Sequence, residues 1–366
     1  MKHKGFLDFF PPPKFLEMRP VGLAFSERSV RAVEFVQSPK GLILGRFGMR
    51  AIPEGAIKEG YVNSKEAVTE VLSALQKELG IEFVRASLPE EKAYLFKTEV
   101  PKAAQDDIRQ SIELRLEENV PLKTQDAIFD YALIPEIENK ENKDHLDVSV
   151  SALPTKVVLT YLEIIKASGL KPVSFGVEAG ALSRALVPKG NLGTFMIVNI
   201  GETCTGLSVV SRGVVQFNST IAIGGDAFTS ALGKHFSVDS AEAKKIKEER
   251  GFVKRRRNME LFFSLMNTVS SLKDEISKLF IYWQTHRNPP GSTGKQIEKI
   301  ILCGRDSSLV GFDEYLSIAM KVPIEVGNVW QNAFSFDDYI PTIPFLDSLE
   351  YASAIGLALP RQNVHV

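Results

Sequence analysis

The stretch Phe195–Leu232, FMIVNIGETCTGLSVVSRGVVQFNSTIAIGGDAFTSAL, gathers glycines and hydroxyl side chains at spacings that suit phosphate binding. An apolar run, Phe195–Ile200, ends at Gly201. Thr203, Cys204, Thr205 and Gly206 then form a small-residue turn before a second apolar run, Leu207–Val210. This reads as strand, tight loop, strand. Ser211-Arg212-Gly213 turns the chain into a third strand, Val214–Ile223, and Gly224-Gly225 leads into a helix that Asp226 is placed to cap. Converging backbone N–H groups and hydroxyls in such a loop can cradle phosphate oxygens. The same glycines also suit a plain hairpin, and the stretch by itself leaves both readings open.

Composition narrows the classes of function. The chain has 366 residues, 44% of them hydrophobic, which supports two lobes with real cores and argues against disorder. The 44 basic and 45 acidic residues leave no charge bias, so no nucleic-acid partner is expected. Cys204 and Cys303 make no disulfide framework and point to a reducing, cytoplasmic compartment. The histidines are scattered without metal-ligand spacing, and no metal site is assigned to them. No apolar run approaches the ~18–20 residues that span a bilayer. The segment from Gly5 to Phe10 is too short and interrupted for a signal peptide, and Pro11–Pro13 stops it.

The elements around that stretch can be read in order. Residues 1–20 are rich in Phe and Pro and read as an arm packed on the body, or as a foot on a membrane or partner. Val21–Phe25, Val30–Val36 and Leu42–Ala51 are three antiparallel strands. A helix over Ser64–Leu79 follows, with Ala67, Val71, Ala74 and Leu75 on one face and Ser64 as cap. Strands Glu82–Leu88 and Lys92–Val100, helix Lys102–Glu118, strand Ala127–Ile137, a charged connector, strand Leu146–Leu153 and helix Thr155–Ser168 make a compact α+β unit. Pro172–Val177 leads to a helix at Glu178–Leu186. The strand–loop–strand head then recurs at 195–210, which suggests a duplicated fold with a cleft between the copies.

The basic run Lys244–Arg257 reads as a solvated helix face, with anionic lipid or an acidic partner as the functional alternative. A long helix, about Met259–Thr285, carries Phe262, Leu265, Val269, Leu272, Ile276, Leu279 and Trp283 toward its own lobe. Strand Ile297–Leu302 ends in Cys303-Gly304-Arg305-Asp306, and small residues in the last helix, Ser348–Leu359, permit close packing. The chain thus divides into an arm (1–20), a first lobe (21–86, completed by 176–190 and the helix 348–359), an inserted α+β subdomain (87–175) and a second lobe (191–345).

This order of motifs resembles the actin-like ATPase superfamily, whose ribonuclease H-like α/β fold has two lobes. Val177-Glu178-Ala179 with Leu182 and Arg184, the run IAIGGDAFT at 221–229, and the opening PPPKFLEM resemble its PilM-type family of type IV pilus assembly proteins, related to the division protein FtsA. The resemblance covers nearly the whole chain. It implies a degenerate nucleotide-binding set of Ser26, Gly201, Thr203, Thr205, Gly224, Gly225, Lys247 and Gly304.

The departures weaken ATP and Mg²⁺ as cofactors. Ala24, Asn199 and Gly206 stand where the family keeps carboxylates, and neutral residues cannot hold Mg²⁺. Lys244 replaces an acid, and Arg305 and Asp306 replace glycines of the adenosine loop. Cys204 and Cys303 read as small fillers of the matching loops. No catalytic residue is assigned. The resemblance implies a cytoplasmic scaffold that binds the short tail of a PilN-like inner-membrane protein. Association with the inner membrane would be through partners, and a homo-oligomer is allowed. The alternatives are a nucleotide-switched ATPase in pilus assembly or FtsA-like division, and a sugar-kinase-like phosphotransferase. The ending PRQNVHV does not read as the amphipathic membrane helix of FtsA.

Overall fold

Apolar runs at Val21–Phe25 (β1), Ser29–Ser38 (β2) and Gly41–Ala51 (β3), the first two largely buried, pair as an antiparallel meander joined by short turns. The computed structural model describes residues 20–360 apart from 40, 103–104, 136–144, 254–257 and 287–295. The N-terminal arm, the heart of the charged connector and the basic residues 254–257 lie outside the described residues.

A small hairpin, Ile57–Lys58 (β4) and Tyr61–Val62 (β5), follows the meander. Helix α1, Lys65–Leu79, starts where Ser64 accepts from the Ala67 N–H and stops at Gly80 in the left-handed conformation. Its buried stripe is Val68, Leu72 and Leu75, and Ala74 faces solvent. Of the face expected, Leu75 is buried and Ala67 and Val71 pack partly buried against the same core, so Ala74 alone departs from it. Centring the stripe on Val68 and Leu72 removes more apolar area from water than burying Ala74 would. Phe83–Leu88 (β6) pairs parallel with β1, and Lys171–Val177 (β10) pairs parallel with β6, giving the order β3-β2-β1-β6-β10.

The second lobe repeats this plan. Thr194–Ile200 (β11), Thr205–Ser211 (β12) and Val214–Ile221 (β13) form the antiparallel meander. Lys299–Cys303 (β14) and Ile324–Val326 (β15) add in parallel, giving the order β13-β12-β11-β14-β15. Strand for strand, order and direction match the first lobe, so the expected duplication is visible in topology.

Two helices close the base of the first lobe: α4, Glu178–Leu186, and the last helix, Ala352–Ala358. Their approach leaves no room for a methyl group. A Cβ on Gly356 would stand 1.8 Å from the Ala181 carbonyl, and one on Gly22 of β1 would stand 1.9 Å from that of Ala354. The second lobe's helices are α5 (Gly225–Phe236), α6 (Ser240–Arg250), α7 (Met259–His286) and α8 (Phe312–Met320). All seven apolar α7 residues expected to face the core do so, with Leu279 only partly buried. No described helix is long and apolar enough to cross a membrane.

Between β6 and β10 lies a three-stranded sheet, β7-β9-β8, formed by Tyr94–Pro101 (β7), Ala127–Leu133 (β8) and His145–Pro154 (β9). Helix α2, Gln105–Asn119, buries Ile108, Ile112 and Leu116 on this sheet against Phe96, Val148 and Val150. Helix α3, Thr155–Ala167, packs elsewhere. Val157, Tyr161, Ile164 and Ile165 join Leu72 and Leu75 in the core of the first lobe. The insert also touches the second lobe: Ser149 Oγ donates to the Val215 carbonyl at 2.6 Å, and Arg212 donates to the Pro135 carbonyl at 3.0 Å.

Candidate functional site

The two meander turns face each other across the cleft between the lobes. In the β1–β2 turn, Ser26 Oγ accepts from the Ser29 N–H at 3.1 Å and lies 3.0 Å from its hydroxyl. In the β11–β12 turn, the Gly201 N–H donates to the Cys204 carbonyl at 3.0 Å, and Thr205 Oγ1 donates to the Ile223 carbonyl at 2.7 Å. Between the turns is a small cavity of roughly 80 Å³, lined by Ser26, Gly201 and Thr203 among others. Thr205, Gly224, Gly225, Lys247 and Gly304 do not line it. The sequence-expected set is therefore split between this cavity and a second cluster on the second lobe.

Five glutamates among the described residues line the cavity, none of them a site residue in the sequence reading, and two of these, Glu90 and Glu178, are deeply placed. Glu90 follows β6 and Glu178 follows β10, so both stand at the carboxyl ends of parallel strands, where α/β sheets place ligands. That position after an apolar strand was the available signal. Glu90 Oε2 lies 3.7 Å from where a methyl on Gly206 would sit, so an acid from the first lobe faces the position where the second lobe's carboxylate is missing. Glu90 is buried and its Oε1 has no hydrogen-bond partner among the described residues. Burial, then the nearby Glu178 and Glu91, pushes its carboxyl well above the usual range.

Glu178 Oε1 accepts from Ser353 Oγ at 2.7 Å and from the Asn199 side-chain amide at 3.2 Å. Burial raises its carboxyl to about 7, with Glu91 adding to the rise and the Ser353 and Asn199 bonds and Arg31 opposing it. Burial that disfavours the ionised form of both carboxyls makes them poorer ligands for a hard cation than exposed carboxylates.

On the second lobe, the amide groups opening α5 are already used. The Gly225 N–H donates to the Gly201 carbonyl at 2.9 Å and the Asp226 N–H to that of Glu202 at 2.8 Å. Gly224, not Asp226, occupies the N-cap position, and no side chain caps the helix. A Cβ at Gly224 would meet the Cys204 amide nitrogen at 2.6 Å, so this close approach admits only glycine. Asp226 instead turns outward to Arg28 of the β1–β2 turn, 3.5 Å away.

Lys247 is the second correction. The basic run is not wholly a solvated face, because Lys247 is 5% exposed and pairs with Asp306, also 5% exposed. Its ammonium also reaches Thr229 Oγ1 at 3.2 Å. Burial raises the Asp306 carboxyl, against the opposing pull of Lys247. Gly304 has φ +86°, and a Cβ there would meet Asn199 Oδ1 at 2.5 Å. Cys303 is buried in the core, and the Cys204 thiol donates to Glu91 at 3.7 Å.

These residues do not fit Mg-ATP held in the way the resemblance implies. A Cβ on Gly225 would lie 1.8 Å from Asp306 Oδ2, so the Asp306 carboxylate covers the glycine surface that opens α5. Lys247 is committed to that carboxylate. A triphosphate in the cavity would face Glu27, Glu91 and Glu202, with Arg28 the one cationic residue of the lining among the described residues.

Two lobes of one topology, joined at their base and facing each other across a cleft, define an actin-like protein. The family described as type IV pilus assembly protein PilM matches residues 22–362, and the chain belongs to that family. Among solved structures, a chain of a "PilM-PilN type IV pilus biogenesis complex" is similar with a TM-score of 0.77 and 21% identity, over 93% of this chain and 98% of that one. Ethanolamine utilization protein EutJ from Carboxydothermus hydrogenoformans gives a TM-score of 0.54 and 14% identity, over 93% and 88%. MreB5 of Spiroplasma citri, solved bound to ADP, gives 0.51 and 13%, over 86% and 94%. These likenesses show the fold.

Proposed function

We propose that the protein is a cytoplasmic scaffold of the type IV pilus machinery that holds the short cytoplasmic tail of a PilN-like inner-membrane protein. The observation that carries this reading is the family match together with the full-length likeness to a chain solved in a PilM-PilN complex. Association with the inner membrane then comes through the partner. The nucleotide site is degenerate, in keeping with the covered Gly225 surface and the acidic cavity.

The tail lies between the first lobe and the insert. Strand β8 ends the three-stranded sheet, so its outer edge is open to an added strand, and Ile128 on it is part-exposed. The test is co-purification of a synthetic PilN-like tail with the full chain and with a variant whose residues 95–151 are replaced by a short glycine linker. The excision is feasible because Tyr94 and Ala152 are paired neighbours on β7 and β9, and it leaves α3 in the first-lobe core. The full chain should retain the tail and the excised variant should lose it. Retention by an excised variant that is folded by circular dichroism would place the tail elsewhere.

A further inference from the structure

We propose that the chain's own charges stand in for a nucleoside, tying the two lobes together in its place, so that lobe closure answers to ionic strength. The proposal rests on the degenerate-site reading and adds what replaces the ligand.

Arg305 follows Gly304 at the end of β14, in the loop where the resemblance places the adenosine. Its guanidinium reaches Glu202 of the β11–β12 turn at 3.6 Å, Glu248 of α6 at 3.6 Å and Glu350 at 3.8 Å. Glu350 lies in the short turn Leu349–Tyr351 that leads into the last helix, which packs on the first lobe, and it also binds Arg31 of β2 at 2.8 Å. The series Arg31–Glu350–Arg305–Glu202 therefore runs from a strand of the first lobe to the phosphate-type turn of the second. Lys244 extends it by meeting Glu202 at 3.4 Å.

Beneath Arg305, the buried Lys247–Asp306 pair joins α6 to the same loop and covers Gly225. At the cleft's far side Arg28 meets Asp226, and at the base the Gly304 N–H donates to the Leu349 carbonyl at 3.2 Å. A bound nucleotide links lobes by offering groups to both at once. Here Arg305 does the same from within the chain. The pair that crosses between the lobes, Arg305 and Glu350, has side chains 35% and 16% exposed, so added salt screens it only in part and high concentrations are needed.

The experiment combines two readouts on the full chain. Hydrogen exchange follows the Gly304 amide, which bonds across the lobes, in wild type at low salt, in wild type at about 1 M NaCl, and in Arg305→Gln. Calorimetry with ATP, with and without Mg²⁺, measures nucleotide affinity on the same samples. The expected result is exchange about tenfold faster in both the high-salt and Arg305→Gln samples, with no ATP heat and no protection by ATP in wild type. Unchanged exchange at high salt and in Arg305→Gln overturns the ionic tie. Micromolar ATP binding by wild type overturns the degenerate-site reading independently. The wild-type salt arm keeps the test decisive should the variant fold poorly.

Discussion

Asn199 donates its side-chain amide to the Glu178 carboxylate at 3.2 Å, so the first strand of one lobe is bonded to the first helix after the other's sheet by an acceptor that titrates near neutrality. The carboxyl sits at about 7 instead of its ordinary 4.5, because burial disfavours its charged form.

The sign of the resulting pH dependence follows. The folded chain binds this proton more tightly than the unfolded chain, so the contribution to stability is fully present below the ordinary value and is lost as pH rises through about 7. The size is on the order of 3 kcal/mol. Glu178→Gln keeps an acceptor for Asn199 and Ser353 without the charge. Its melting temperature should exceed wild type at pH 8 and converge with it near pH 4.5. Equal displacement at both pH values would contradict this.

Removing one member of the Lys247–Asp306 pair leaves a buried charge alone. Lys247→Met should cost about 3–5 kcal/mol in denaturant unfolding. The double variant Lys247→Met/Asp306→Asn should recover at least half of that, because a neutral amide is cheaper to bury than a carboxylate. A double variant no more stable than the single one would mean that packing, not charge, dominates there.

Gly356→Ala tests the contact of the last helix with α4. The added methyl meets a backbone carbonyl, which cannot swing aside, so destabilisation of about 3 kcal/mol or outright misfolding is expected. Gly180→Ala on α4, where a Cβ meets nothing within 4 Å, should be neutral or stabilising and serves as the control.

Phosphate release from Mg-ATP should not exceed that of a heat-killed sample. Phosphoryl transfer depends on positioned cations and charge, and Asn199 and Gly206 supply no carboxylate while burial disfavours the charged form of Glu90. Turnover above that background, abolished by Glu178→Gln, would show that Glu178 holds the water or metal after all.

Much of the fold was legible because it is written locally. Tight turns and apolar runs marked both meanders, and Ser64 marked the start of α1. What escaped depends on partners distant in sequence. Asp226 has the chemistry of a cap, but Arg28 in the other lobe draws it outward. Lys247 sits in a run that looks solvated, and only Asp306, fifty-nine positions later, explains its burial. Glu90 and Glu178 become site residues only when β6 and β10 lie side by side. The hairpin β4–β5 was missed because each strand is two residues long, too short for any periodicity.

The bonds from Ser149 to Val215 and from Arg212 to Pro135 give the insert a second attachment, to the lobe it does not descend from. A ligand seated on the insert and a rotation of the lobes therefore draw on the same contacts, and thermodynamic reciprocity applies to the pair. Under the function proposed above, whatever factor closure adds to the tail's affinity, tail occupancy would add to the population of the closed form. The angle between the lobes would then register whether the insert is occupied.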